Sequence, residues 1–184
     1  MIRLSFVFSP SAKGLLVALA ATITFVAAAP VSAQSTRLAP DFQALDTNGR
    51  EVRLSALRGC GVVLFFFASW CPYCARMAPS IVEAHRALRQ RGVIFIGVNV
   101  WDADEGLANQ FVAQHGISFS IVRQHSEAIA DAYRVRGVPN VVMISPRGTI
   151  ALEIPGWSPD ERITQLARRV AGGKSCKVSP QTLP

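Results

Sequence analysis

Short runs of apolar residues alternate with longer segments of mixed polarity along most of the chain. Continuous apolar runs bounded by turn residues are typical of buried strands, and apolar positions that recur every three to four residues are typical of helices. The runs predict strands at residues 62–67, 93–98, 119–122, 141–144 and 149–154. The mixed segments predict helices at residues 72–91, 103–114, 127–134 and 159–170.

This alternation of strands and helices predicts one α/β domain with a central sheet covered by helices. Strands joined through a helix pair in parallel, whereas the tight turn at residues 146–148 makes the last two strands antiparallel, so we expect a mixed sheet. Residues 41–45 and 51–54 flank Asn48-Gly49, a dipeptide typical of tight hairpins. A small β-hairpin therefore precedes the core.

The helix predicted at residues 72–91 is amphipathic. Its apolar positions fall on one stripe that can lie against the sheet: Met77, Ile81, Ala84 and Leu88. Pro79 lies inside this helix and is expected to bend it.

Capping signals predict where two other helices begin. Asp102 and Glu105 have the spacing of a capping box ahead of the second helix, and Ser158 and Glu161 have it ahead of the last. We therefore expect the Asp102 side chain to cap the second helix.

The first 33 residues have the pattern of an export signal. Arg3 and Lys13 are their only charges, residues 14–29 are apolar, and Val31-Ser32-Ala33 supplies small residues at a cleavage site. An uncleaved membrane anchor is the alternative, but this apolar stretch is shorter than the roughly 20 residues of a comfortable span. We expect a signal peptide at 1–33 that is cleaved after Ala33, a domain at 34–171 and an irregular tail at 172–184.

Net charge and cysteine content restrict the partners of this chain and the redox state of its thiols. Without its leader the chain keeps 17 Lys and Arg against 12 acids, a net charge of +5, spread without the basic blocks of a nucleic-acid surface. We expect no nucleic-acid partner, and membrane contact only through an uncleaved leader. Export to an oxidising compartment also predicts that at least two of the four cysteines are disulfide-bonded.

Cys71 and Cys74 are the strongest candidates for chemistry. They lie three residues apart at the junction of a buried strand and a helix, where unpaired backbone N–H groups and the helix dipole stabilise a thiolate. A static disulfide or half of a zinc site is the alternative. A zinc site needs further ligands at short spacing, and the remaining cysteines and histidines are scattered, so we expect no metal and no organic cofactor.

Trp70-Cys71-Pro72-Tyr73-Cys74, together with Pro79 and Gly137-Val138-Pro139, resembles the thioredoxin superfamily. The export signal, the hairpin and the order of elements are similar to its TlpA/ResA-like branch of extracytoplasmic thiol–disulfide oxidoreductases. The resemblance implies a thioredoxin-like fold with an N-terminal β-hairpin extension.

The resemblance also implies roles for individual residues. Cys71, the more exposed sulfur, forms a mixed disulfide with a client protein, and Cys74 resolves it. Pro139 is expected to be cis and to lie against the dithiol, and the backbone of Val138 pairs with the client. Trp70, Pro72 and Tyr73 complete the expected client-binding surface, Trp70 being equally compatible with simple packing.

Two positions depart from the family pattern. Thioredoxin has a buried acid where this chain has Phe65, and ResA-like proteins have a glutamate where it has Met77. Without either carboxylate, water or a residue from elsewhere must accept the proton of Cys74. We expect a slow or strongly pH-dependent resolving step.

Strand directions predict a partner for Cys60. This residue precedes the strand that ends at the dithiol, so it lies at the opposite pole of the sheet. The strand after Pro139 runs away from the dithiol, the last strand returns, and the last helix runs away again. The tail with Cys176 therefore ends near Cys60, and we expect a structural disulfide between them.

An exported protein-disulfide reductase is the favoured function. The family resemblance implies protein clients, among them apocytochrome c. It also implies an upstream thiol–disulfide partner that donates or accepts electrons. A periplasmic dithiol oxidase and a non-enzymatic Cu(I) carrier are the alternatives. Ala39-Pro40-Asp41-Phe42 resembles peroxiredoxins, but Leu64 and Ala68 replace the proline and threonine of their motif. Peroxide reduction is therefore disfavoured.

Overall fold

A computed structural model describes residues 37–157, 161–173 and 176–177. The predicted leader and the Ser158 cap lie outside the described residues. The strands are β1 (Gln43–Leu45), β2 (Glu51–Arg53), β3 (Gly61–Phe67), β4 (Val93–Asn99), β5 (Ser120–Val122), β6 (Asn140–Ile144) and β7 (Ile150–Pro155). The helices are α1 (Pro72–Leu88), α2 (Glu105–Gln114), α3 (Ser126–Ala132) and α4 (Glu161–Arg168), with 3₁₀ turns at Leu54–Leu57 and Arg89–Arg91.

The five core strands form one mixed sheet in the order β5-β4-β3-β6-β7. β3 pairs in parallel with β4, and β4 with β5, while β6 runs antiparallel to both β3 and β7. β3 lies at the centre, and all seven of its residues are buried. The mixed sheet predicted from the alternating pattern is confirmed.

The predicted hairpin forms a separate two-stranded sheet of β1 and β2. Asp46 organises its turn: one carboxylate oxygen accepts from the backbone N–H groups of Asn48 (2.8 Å) and Arg50 (2.9 Å), and the other from Ser120 Oγ (3.0 Å). Gly49 supplies the positive φ that the turn needs, 76°. The Ser120 bond joins the hairpin to β5 of the main sheet.

Apolar side chains fill both faces of the sheet. One face carries Phe65 and Phe67 against α1 and α4, and the whole predicted stripe of α1 is buried there. The other face carries Leu64 and Phe66 against the hairpin and α3. A strand buried on both faces is continuously apolar, which is the pattern of β3 in the sequence.

The predicted start of α2 was wrong. The helix begins at Glu105, and its N-cap is Asp104, whose carboxylate accepts from the Gly106 N–H at 2.6 Å. Asp102 lies two residues earlier and accepts from Ser69 instead. Asp104 satisfies a free N–H of the first turn, so the helix does not need Asp102.

Residues at the starts of β3 and β4 contact the C-terminal segment and fix it against the sheet. Cys60 and Cys176 form a disulfide with a Cα separation of 4.3 Å, which joins the start of β3 to the chain beyond α4. The Gly172 N–H also donates to the Gly92 carbonyl at 3.0 Å. A side chain at Gly61 would collide with the backbone of Val170, so glycine allows this close approach.

Candidate active site

The dithiol lies where β3 passes into α1. Cys71 is the N-cap residue of α1, and its Sγ accepts from the Cys74 backbone N–H at 3.2 Å. Pro72 occupies the first turn of the helix, where a missing N–H leaves no partner unsatisfied. The arrangement points the Cys71 sulfur at the positive end of the helix dipole, which favours a negative charge on it.

Both sulfurs are free thiols and both are buried: Cys71 is 4% exposed and Cys74 is 0% exposed. Cys71 is the more exposed of the two, in the expected order, but its small exposed fraction means that little of this residue reaches the surface. As an N-cap, its sulfur turns back toward the helix N–H groups. The exposed side chains are its neighbours Trp70 (62%) and Tyr73 (52%).

The loop before β6 lies against Cys71. Because β6 runs antiparallel to β3, its first residues reach the edge where β3 ends, and Asn140 is the register partner of Phe66. The Val138–Pro139 peptide bond is cis. The Cys71 thiol lies 3.5 Å from the Val138 carbonyl, to which it donates, so the loop meets the dithiol through a backbone oxygen.

Cys74 lies in surroundings that oppose its ionisation. Burial raises the pKa of the Cys74 thiol far above its usual range, and hydrogen bonding to Cys71 and the negative charges of Cys71 and Asp102 act in the same direction. A hydrogen bond with the Ala68 backbone partly opposes them. Cys74 is therefore a protonated thiol at neutral pH.

Apolar side chains occupy the two positions where family members carry acids. Phe65 and Met77 are fully buried in the cluster that also contains both cysteines. Phe65 stacks on Phe67 with ring centroids 5.3 Å apart, and Phe67 stacks on Phe111 at 4.9 Å. No carboxylate reaches the dithiol from these positions.

A carboxylate does approach from the loop after β4. Asp102 accepts from the Ser69 N–H (3.1 and 3.0 Å), from Ser69 Oγ (3.0 Å) and from Asn99 Nδ2 (2.6 Å). Sequence reasoning missed this contact by assigning Asp102 to a helix cap. The available signal was topological, since the carboxyl ends of the parallel strands β3 and β4 meet at one edge of the sheet.

Exposed apolar side chains surround the dithiol on the α2 side. The indole N–H of Trp70 donates to the Trp101 carbonyl at 3.1 Å, and Trp101 is 39% exposed. A shallow groove of about 200 Å³ beside them is lined by Ser69, Trp70, Leu107, Gln110, Phe111 and Gln114. The groove therefore offers apolar contact area beside Trp70, the residue that precedes Cys71.

His85 packs among aromatic side chains. His85 lies on α1 between the rings of Phe95 (5.5 Å) and Phe119 (5.3 Å), and burial together with Arg89 and Arg86 lowers its pKa. Within residues 37–157, 161–173 and 176–177, no group of three side chains could hold a metal ion. The same ranges contain no helix with the length and apolar character to span a bilayer.

Comparisons with known proteins agree with this geometry. Residues 36–153 match the model of the AhpC/TSA family. The chain is similar to the thiol-disulfide oxidoreductase ResA of Bacillus subtilis (strain 168), with 30% identity over 137 residues that cover 74% of this chain and 76% of ResA. It is 34% identical to ResA of Geobacillus thermodenitrificans (strain NG80-2) over 127 residues, 69% of this chain and 72% of that protein.

Solved structures give the same result. A crystal structure described as a thiol:disulfide interchange protein DsbE from Chlorobium tepidum superposes with a TM-score of 0.67 and 28% identity, over 76% of this chain and 98% of that one. The fold, the free dithiol and these relatives agree. The chain belongs to the AhpC/TSA family and is a thiol–disulfide oxidoreductase of the ResA/DsbE type.

Proposed function

We propose that this protein is an exported reductase of protein disulfides, in which Cys71 attacks and Cys74 resolves. The observation that supports the direction of electron flow is the setting of the Cys71 sulfur, which accepts from the Cys74 backbone N–H within a cluster of apolar side chains. Strong dithiol oxidants owe their potential to a stabilised reduced form. One backbone hydrogen bond stabilises the Cys71 thiolate less than a cationic side chain would, which favours the disulfide form and hence donation of electrons to clients.

The reaction has two exchange steps. The Cys71 thiolate attacks one sulfur of a client disulfide, forms a Cys71–client disulfide and releases the other client sulfur as a thiolate. Cys74 then loses its proton and attacks the Cys71 sulfur, and the bond to the client breaks. The client has gained two electrons, both of its sulfurs take up protons, and the dithiol has become a disulfide. An upstream thiol donor returns the protein to its reduced state.

The proposed client path runs over the exposed aromatic residues to the cis-proline loop. Trp70 and Tyr73 supply apolar contact area, Pro72 lies between the sulfurs, and Val138 presents its backbone beside Pro139. Because Cys71 is 4% exposed, we expect a flexible client segment to bring its sulfur to Cys71 more readily than a rigid, flat surface would. This geometry fits an unfolded or flexible polypeptide such as an apocytochrome c.

Equilibration with glutathione tests the direction. We expect a potential below about −200 mV, so that the dithiol is a better reductant than the glutathione pool of an oxidising compartment. A strongly oxidising potential would instead identify a dithiol oxidase. Replacing Cys74 with Ala in the native host tests the clients, because the mixed disulfide on Cys71 then persists and its partners can be identified.

The leader is also part of this proposal. We infer that residues 1–33 direct export and are removed after Ala33, which leaves the +5 domain in the periplasm or outside the cell. The mass of the protein isolated from its host gives the test. A mature chain that begins at Gln34 supports cleavage, and a full-length chain supports a retained anchor.

A further inference from the structure

Asp102 is the acidic group that the structure brings to the dithiol. Its carboxylate spans two loops: it lies three residues beyond the end of β4 and accepts hydrogen bonds from both the N–H and the hydroxyl of Ser69, two residues before Cys71. Asn99 Nδ2 adds a third donor at 2.6 Å. A carboxylate that accepts from three donors is fixed in position and carries its negative charge there.

The surroundings of Cys74 give this charge influence over its sulfur. The apolar cluster around Cys74 includes Phe65, Phe67 and Met77, none of which carries a charge. Burial is the largest cause of the raised pKa of Cys74, and the negative charges of Cys71 and, as the smallest of these causes, Asp102 act in the same direction. A charge acts more strongly in such surroundings than in water.

Two arginines lie near Asp102 and the dithiol. The Arg123 guanidinium, on the loop after β5, donates to the backbone carbonyl of Asp102 at 3.3 Å. On α1, the Arg76 guanidinium lies over the exposed Tyr73 ring, 5.6 Å from its centroid. The Asp102 backbone thus meets a cation, while its carboxylate accepts from Ser69 and Asn99.

We propose that Asp102 is a positioning residue that holds the loop carrying Cys71 and, through its fixed charge, controls how readily Cys74 loses its proton in the resolving step. This inference rests on the proposed roles of the two cysteines. The charge opposes formation of the Cys74 thiolate, so the resolving step is slowed at neutral pH and accelerated as pH rises. Asp102 thus takes over a role that the family resemblance gives to acids at the positions of Phe65 and Met77. It sets the pH dependence of the resolving step.

The test replaces the charge while keeping the shape, as Asp102→Asn. If the Asn99 side chain turns over, its buried Oδ1, which has no hydrogen-bond partner among the described residues, can accept from the new amide, and the 3.4 Å bond from Asn99 Nδ2 to the Phe67 carbonyl is lost in exchange. Asp104→Asn is the matched control, since it removes an exposed acid two residues away and retains a capping side chain.

The resolving step is followed with 2,2′-dithiodipyridine, an uncharged disulfide that reacts first with Cys71. Attack by Cys71 releases one thiopyridone, and attack by Cys74 on the mixed disulfide releases a second, so stopped-flow absorbance separates the two steps. We expect the second phase to be about 2- to 3-fold faster in Asp102→Asn at each pH between 7 and 9, a range in which Cys74 stays protonated and the rate rises with pH in both proteins. Asp104→Asn should follow the wild type.

Asp102→Ala, which removes the charge together with the hydrogen-bond acceptor, provides a second variant. It should show the same faster second phase between pH 7 and pH 9 and also a lower melting temperature. A second phase that keeps the wild-type rate in both variants across this range would overturn the role of Asp102 while leaving the two-step reaction intact. A wild-type protein that releases a single thiopyridone would instead reject the proposed resolving function of Cys74.

Discussion

Cys71 and Cys74 lie three residues apart but in different surroundings. The Cys71 sulfur faces the N–H of the helix that it caps, whereas the Cys74 sulfur is fully buried among apolar side chains. Helix N–H groups stabilise a thiolate, and burial without charge partners opposes one. The difference supports the proposed assignment of attack to Cys71, with proton loss from Cys74 as the pH-sensitive event.

The raised pKa of Cys74 predicts that the reduced protein loses stability in alkali. In the unfolded chain this thiol ionises near its ordinary pKa of 9.0, while in the folded protein it stays protonated to higher pH. Above about pH 9 the unfolded state therefore binds fewer protons, and the free energy of unfolding falls as pH rises by about 1.4 kcal/mol per unit at most. Below pH 9 this contribution is constant.

Urea unfolding of the reduced protein between pH 7 and pH 10.5, without oxygen, measures this slope. Cys74→Ala is the control, because it removes the titrating group from both states, and its stability should decline less steeply. Equal slopes for the two proteins would show that Cys74 ionises as easily in the fold as outside it.

Residue patterns predicted only part of this site. The spacing of Cys71 and Cys74, and the family resemblance around Pro139, indicate thiol–disulfide chemistry from the sequence alone. Asp102 was missed because local sequence offered it a cap position, and Asp104 fills that position instead. Contacts between loops that follow different strands depend on sheet order and register, which a motif does not contain.

Secondary-structure elements bring these residues together by their directions. β3 and β4 are parallel and end at the same edge, and β6 begins there because it is antiparallel to β3. Periodicity predicted every strand and helix of the described core, since each buries a continuous or regularly spaced apolar set. The ends of elements were less accurate: α1 stops at Leu88 before a 3₁₀ turn, and α3 ends at Ala132.

The hairpin depends on a single buried acid, which gives a prediction at the level of the element. Asp46 accepts two backbone bonds within its turn and one from Ser120, and it forms an ion pair with Arg50 at 3.4 Å. Asp46→Ala leaves these donors without their acceptor. We expect a loss of about 2–3 kcal/mol in the free energy of unfolding, measured in urea.

Asp46→Asn is the matched variant, since it keeps an oxygen acceptor and should lose less stability than Asp46→Ala. The thiol-exchange rates should be unchanged in both variants, because the hairpin contacts β5 rather than the loops that carry the dithiol. A loss below about 0.5 kcal/mol in Asp46→Ala would show that the hairpin is held by its apolar contacts alone.

The molecule as a whole places its two cysteine pairs at opposite poles of one sheet. The free dithiol follows β3, and the Cys60–Cys176 disulfide precedes it. In the proposed reaction this separation lets the Cys71/Cys74 pair alternate between its dithiol and disulfide forms while the Cys60–Cys176 bridge stays oxidised. The exchange reaction therefore does not need to disturb the contacts that hold the C-terminal segment.

Removing the Cys60–Cys176 bridge should lower stability without affecting exchange. The bridge closes a sequence separation of 116 residues, so the chain-entropy model gives a loss of up to about 4–5 kcal/mol in the free energy of unfolding. The double variant Cys60→Ala with Cys176→Ala avoids a stray thiol that could react with Cys71. Urea unfolding measures the loss, and the dithiodipyridine phases should keep their wild-type rates.

Cys71→Ser with Cys74→Ser is the opposite control, because it removes the dithiol and keeps the bridge, and it should retain most of the wild-type stability. The close backbone approach at Gly61 and the hydrogen bond from Gly172 persist in the bridge variant, so we expect a folded but weaker protein. A loss below about 1 kcal/mol would mean that these contacts, rather than the covalent bond, fix the chain beyond α4. Slowed exchange in that variant would mean that the two poles are coupled through β3.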